Sequence, residues 1–157
     1  MDLRIRYRSE GEMVAELGPL FLRVINGVAT TYEDVERLVA TLDRMLTRWP
    51  LVGVLVVVEH GSPSPSPEIR RRVDEELRRY GDRIVIGYAF LGLGFWTVDA
   101  REWASERAAS LGVPVFVTTD LPELARRASF ELVGVDPGLV VQGFERLRAA
   151  LGLVNGG

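Results

Sequence analysis

The 157-residue chain contains no cysteine and no lysine, and its single histidine is His60. The absence of cysteine excludes disulfide bonds, thiol nucleophiles and thiolate metal ligands. A chain without lysine cannot carry the Gly-Lys-Ser/Thr ending of a phosphate-binding loop. One histidine does not favour a zinc site built by the protein. The sequence therefore predicts neither a bound metal nor a cofactor.

Long apolar runs and strong charge are also missing. The longest apolar run, LVGVLVVV at 51–58, is far shorter than the roughly 20 residues of a membrane-spanning helix. The first residues, MDLRIRYRSEGE, lack the apolar stretch of a signal peptide. With a net charge of −3 and arginines spread along the chain, no basic surface is expected to attract nucleic acid. We interpret the chain as cytoplasmic, without a membrane span or a nucleic-acid partner.

The patterns that are present predict an α/β fold. Alternating apolar residues indicate strands over 3–8, 13–17 and 20–25, and a helical stripe follows from a cap at Thr30 or Thr31. The run 52–59 is apolar on both faces, which is typical of a central parallel strand. Strands and helices then alternate to residue 128. We predict a single-domain layered sandwich, with a mixed sheet of parallel central strands and an N-terminal antiparallel meander.

Three later helices are placed by the residues at their N-termini. Asp99 and Glu102 have the spacing of an N-terminal cap for the helix before Gly112, and 120–128 reads as a short helix capped by Asp120. A last helix opens at Asp136 and Pro137. Its apolar stripe is too large to leave in water, so this helix must pack on its own sheet or on a second copy. We favour a homodimer through this helix. The stripe comprises Val140, Phe144, Leu147 and Leu151.

The segment EHGSPSPSPEIRRR, at 59–72, holds the clearest candidate site. Glu59, His60 and Ser62 are residue types used in catalysis, and they follow the central strand, where α/β proteins often bind ligands. Residues this close in sequence seldom reach triad geometry, and no Gly-x-Ser-x-Gly pattern surrounds the serine. We therefore assign no catalytic residue, and Ser66 is predicted to cap the helix that Pro67 opens.

The order of elements resembles the STAS superfamily in its broad sense, the SpoIIAA-like domains typified by bacterial anti-anti-sigma factors. The likeness covers about residues 12–130 and is carried by LVGVLVVVE, IVIGYAFL and the ending VPVFVTTDLPELARRA. It implies a STAS-type domain over 1–130 and a C-terminal helical extension over 131–157. It also implies a non-catalytic regulatory module that binds another protein. Anti-anti-sigma factors use a serine after the central strand as a phosphorylation switch, and the resemblance places this phosphoacceptor at Ser62 or Ser66. The usual Asp-Ser-Ser/Thr-Gly motif of the family is replaced here by EHGSPSPSPE.

Two alternatives remain open. The first is a small-molecule or lipid-binding domain with a pocket between the sheet and the helices, for which Trp96 and Trp103 are candidate walls. The second is a small enzyme that uses His60. In the STAS-type interpretation and in the ligand-binding interpretation, Glu59, His60 and Ser64 belong to an interaction or ligand-binding loop.

Overall fold

The computed structural model describes residues 1–91 and 96–153, and the side chains of these residues except at 96–101 and 103. It shows the expected α/β fold in one domain. The strands are β1 Leu3–Arg8, β2 Glu12–Leu17, β3 Leu20–Ile25, β4 Val52–Glu59, β5 Ile84–Leu91 and β6 Val115–Thr118. The helices are α1 Tyr32–Met45, α2 Pro67–Arg78, α3 Trp96–Leu111, α4 Leu121–Glu131 and α5 Pro137–Ala150.

All these strands form one mixed sheet in the order β1-β2-β3-β4-β5-β6. The first three strands are antiparallel neighbours, and β3 to β6 run parallel. Right-handed crossovers between successive neighbours place every connecting helix on the same face. Accordingly α1, α2 and α3 cover one face, while α4 and α5 cover the other. The mixed sheet with an antiparallel start and a parallel remainder confirms the predicted fold class.

Each central strand supplies side chains to both faces, because successive residues of a strand point to opposite sides. In β4, Val54 and Val56 pack under α1 and α2, whereas Leu55 and Val57 pack under α4 and α5. All four are buried. This double burial explains why the segment reads as continuously apolar.

Two glycines let the α4 side approach the sheet closely. A methyl group on Gly87 would overlap the Phe116 ring and lie 3.1 Å from Leu124 Cδ1. A methyl group on Gly53 would lie 2.8 Å from Leu20 Cδ2 and 3.1 Å from Leu132 Cδ1. The strands therefore lack side chains where neighbouring apolar groups need the space.

The C-terminal helix α5 packs on the sheet of its own chain. Val140, Phe144 and Leu147 are almost completely buried in the core formed by β2, β3 and α4. The apolar stripe that led us to favour a homodimer is thus covered within the chain, and that argument for a dimer no longer holds. The extension proposed for 131–157 begins at the last residue of α4 and includes a helix that belongs to the single domain.

Two boundaries differ from those expected. Helix α3 begins at Trp96, so Asp99 lies inside the helix and is not its cap. Helix α4 continues to Glu131, beyond the expected end at 128, because Leu132 directly after it is buried in the core and its amide donates a hydrogen bond to the Ala128 carbonyl. The expected caps are confirmed at Thr31 and Asp120. Within the described part of the chain, no helix has the length and apolar character needed to cross a membrane.

Candidate ligand-binding cavity

A cavity of about 290 Å³ lies between the sheet and helices α1 and α2. It sits where β3, β4 and β5 end, so it opens at the carboxyl edge of the parallel strands. This edge is the usual position of ligand sites in open α/β sheets. The volume is close to the lower limit of small-molecule pockets, which begins at about 300 Å³.

The floor of the cavity is apolar. It is made by side chains that alternate along the parallel strands and by residues of the two covering helices. The floor residues are Val14, Phe21, Ile25, Val35, Leu38, Val54, Val56, Val58, Val73, Leu77, Ile86, Tyr88 and Phe90. Short valine side chains dominate the β4 part, and they leave space that longer side chains would fill.

A partly buried ionic cluster borders the floor on the α1 side. It consists of Glu12 from β2, Arg23 from β3, and Asp34 and Arg37 from α1. Arg23 donates a hydrogen bond to Glu12 and has Nη2 3.4 Å from Asp34 Oδ2. Arg37 Nη1 lies 2.9 Å from Asp34 Oδ1 and 3.7 Å from Glu12 Oε1, and its Cζ lies 3.5 Å from the centre of the Tyr7 ring. The two cations and two carboxyl groups therefore compensate one another.

The two carboxyl groups of this cluster have pKa values shifted in opposite directions. Burial raises the pKa of Glu12 above its ordinary value of 4.5, against the opposing charge of Arg23. Burial also acts to raise the pKa of Asp34, but the backbone amide of Thr31 and the interaction with Glu12 outweigh it, so that pKa is lowered. Glu12 therefore binds a proton more readily than Asp34 does.

The loop after β4 forms the mouth of the cavity, and Ser62 ties it to the neighbouring loop. The Ser62 hydroxyl accepts a hydrogen bond from the Gly27 amide at 2.9 Å and donates one to the Ile25 carbonyl at 3.1 Å. Gly61 precedes it with a φ of 82°, a left-handed conformation that suits glycine. His60 and Ser64 line the mouth and are exposed.

Glu59 does not join His60 and Ser62. Its side chain is buried on the opposite face of the sheet, where Arg148 of α5 donates a hydrogen bond to it. Ser62 is engaged with backbone groups, and His60 is exposed. The three residue types that are adjacent in the sequence are therefore separated in the fold and form no catalytic set.

The remaining candidates have separate outcomes. Ser66 caps α2 as expected, since its hydroxyl accepts a hydrogen bond from the Ile69 amide at 3.3 Å. The side chains of Trp96 and Trp103 lie outside the described residues, so their assignment as pocket walls stays a prediction. Among residues 1–91 and 96–153, no three His, Cys, Asp or Glu side chains are grouped as a metal site requires.

Sequence reasoning missed the charged residues that border the cavity. Glu12 and Arg23 belong to neighbouring antiparallel strands and face the same side, because Val14 pairs with Arg23 and Glu12 with Ile25. Arg23 interrupts an otherwise apolar strand, and an opposite charge at the diagonal position of the neighbouring strand could have indicated this ion pair. On the α2 side, Arg107 also lines the cavity and lies 2.7 Å from Asp74.

Comparison of the chain with protein-family models, with curated proteins and with solved structures gave no match.

Proposed function

We propose that this protein is a binding domain that holds a small amphipathic molecule in the cavity between the sheet and helices α1 and α2. The observation that carries the proposal is the 290 Å³ apolar cavity at the carboxyl ends of three parallel strands. Protein interiors are otherwise packed with few voids larger than a water molecule. A space of this size, with polar groups only at its borders, has the composition of a ligand pocket.

The volume limits the size of the ligand. Because a water molecule occupies about 30 Å³ of liquid, the cavity accommodates on the order of ten non-hydrogen atoms. The charged side chains of the ionic cluster form ion pairs with one another, and the Ser62 hydroxyl is hydrogen-bonded to backbone groups. This arrangement favours binding without catalysis.

Methyl NMR with 1-octanol as the probe tests this function. We expect octanol to shift the methyl signals of Val54, Val56 and Val58, which face the cavity, and to leave Val57 and Val85 on the opposite face unchanged. Substitution Val56→Phe fills the cavity and is expected to abolish the shifts. Val133→Phe is the control, because Val133 is fully exposed at 100%. Shifts confined to the opposite face, or none at millimolar octanol, would refute the proposal.

A second proposal is the regulatory protein-interaction module that the STAS resemblance implies. The observation that favours it is a pair of exposed apolar side chains near the end of α4, Phe130 at 84% and Val133 at 100% exposure. Contiguous exposed apolar patches often mark interaction surfaces, and these two side chains lie only three positions apart in the chain. If this function is correct, a partner recovered from the native host should be lost with Phe130→Ser/Val133→Ser and retained with Val56→Phe.

For this second proposal, Ser62 is a less suitable phosphorylation site than Ser64. A phosphate on Ser62 would remove the proton that the hydroxyl donates to the Ile25 carbonyl and would place negative charge beside that oxygen. The exposed hydroxyl of Ser64 makes no hydrogen bond with any described residue and offers easier access. Modification at Ser62 would therefore open the mouth of the cavity, whereas modification at Ser64 would add charge at its rim.

A further inference from the structure

The arginines that line the cavity differ in whether a carboxylate already neutralises them. Arg23 and Arg37 pair with Glu12 and Asp34, and Arg107 pairs with Asp74. Arg70, in the first half of α2, makes no ion pair with any residue that the structure describes. It is exposed and lines the cavity together with the loop at the mouth. Arg70 is thus the lining cation whose charge is available to a ligand.

The acidic residues near the cavity do not compete for this charge. Glu12 and Asp34 lie on the α1 side and are held by Arg23 and Arg37. Glu59 is among the residues that line the cavity, but its buried carboxylate accepts a hydrogen bond from Arg148 of α5 on the other face of the sheet. Asp74 of α2 pairs with Arg107. None of the described carboxylates near the mouth forms an ion pair with Arg70.

The start of α2 adds to the same electrostatic preference. Pro65, directly before the Ser66 cap, lines the cavity, so the positive end of the helix dipole lies at the mouth. An acidic group held by Arg70 would benefit from this dipole as well. The neighbouring Arg71 is also exposed, but it does not line the cavity.

Resting on the proposed binding function, we infer that the ligand is an amphipathic acid whose carboxylate pairs with Arg70 at the mouth. Its apolar body lies on the floor formed by Val54, Val56 and the residues around them. The size of the cavity corresponds to an acid with about ten non-hydrogen atoms, as in octanoate. Arg70 then determines the preference for an acidic head group, and the valine floor provides the apolar binding surface.

Titrations with octanoate, 1-octanol and octylamine test the inference, because these probes share an apolar chain and differ in head-group charge. For the wild-type protein we expect octanoate to bind about threefold to fivefold more tightly than octanol, the scale of an exposed ion pair. Octylamine should bind most weakly. Arg70→Gln should remove the difference in affinity between octanoate and octanol.

The matched control is Arg71→Gln, which removes the same charge from the adjacent position on α2. This variant should keep the preference for octanoate. Equal losses of octanoate affinity in both variants, or equal binding of octanoate and octanol by the wild type, would overturn the assignment of Arg70 and leave the binding function intact. Failure of all three probes to bind the wild type would overturn the binding function and this inference together.

Discussion

The two faces of the sheet are built from the same strands but are packed differently. On the α4 and α5 face, Phe144 and Leu147 are completely buried, and glycines in β4 and β5 admit the neighbouring side chains. On the α1 and α2 face, a cavity and a partly buried ionic cluster lie beneath the helices. Both faces contain fully buried apolar side chains, whereas the cavity lies on the α1 and α2 face.

Adjacent residues of one strand therefore have different roles. Val57 is fully buried among the α4 and α5 side chains, while Val56 forms part of the cavity floor. The difference arises because alternation along β4 sends each residue to a different layer. Matched substitutions on the two faces test whether this division holds.

The largest expected effect on stability is on the sheet face that α4 and α5 cover. Phe144→Ala should lower the free energy of unfolding by about 3–5 kcal/mol, because it leaves a cavity among fully buried groups. Phe130→Ala is the control on an exposed aromatic residue and should change stability by less than about 0.5 kcal/mol. Urea denaturation followed by circular dichroism measures both. Similar losses in the two variants would contradict the close packing of α5 on its own sheet.

A smaller effect is expected when a methyl group is added to adjacent positions of β4. Val57→Ile should lower the free energy of unfolding by about 1–3 kcal/mol, because Val57 is fully buried on the α4 and α5 face and the extra methyl group would overpack it. Val56→Ile should be close to neutral, since the added methyl group enters the cavity. The unfolding free energies of the two variants are compared directly. If Val56→Ile costs as much as Val57→Ile, the cavity is not available to an apolar group.

The loop at the mouth offers a third comparison. Ser62→Ala removes two hydrogen bonds to the neighbouring loop and should cost about 1–2 kcal/mol. Ser64→Ala, at an exposed position of the same loop, should change stability by less than about 0.5 kcal/mol. Hydrogen exchange at the Gly27 amide should also become faster in the Ser62 variant alone. An unchanged exchange rate would show that Ser62 does not hold the two loops together.

The smallest difference concerns the pH dependence of two buried glutamates of β2. Burial raises the pKa of Glu12, so the stability from its neutral form is present below 4.5 and is lost as pH rises through the folded-state pKa. Burial also acts on Glu16, but hydrogen bonds from Arg44 and Arg6 outweigh it and lower that pKa. Glu16 therefore contributes stability above 4.5 that is lost as pH falls through its folded-state pKa.

Glu12→Gln and Glu16→Gln, measured by thermal unfolding across pH, test these signs. The advantage of the wild type over Glu12→Gln should decrease as pH rises above 4.5, and its advantage over Glu16→Gln should decrease as pH falls below 4.5. The same direction in both variants would mean that the two carboxyl groups share one electrostatic environment.

Local features could be predicted because their causes are local. The capping box of Thr31 and Asp34, the Ser66 cap before Pro67, and the apolar run of β4 each depend on residues within a few positions. The hairpin between β1 and β2 also brings Arg6 to Glu16. Short-range hydrogen bonds and strand periodicity were sufficient for these elements.

The candidate site could be predicted only in part. The sequence directed attention to the loop after β4, and this loop does form the mouth of the cavity. Glu59, His60 and Ser62 are adjacent in the sequence, where we assigned them no catalytic role, and the fold separates the Glu59 carboxylate from the other two side chains. Neighbours along a strand face opposite layers, and the partner that determines the Glu59 environment, Arg148, comes from a helix near the other end of the chain.

The sequence by itself determined the helices, the strands and the layered α/β class, because periodicity and caps act over short distances. Only the tertiary structure decided that α5 covers its own sheet, that Glu12 is buried beside Arg23, and that a cavity remains beneath α1 and α2. These features depend on the distance between the sheet and its covering helices and on which charged residues come into contact. Both are determined by packing between residues far apart in the chain, so no local sequence pattern predicts them.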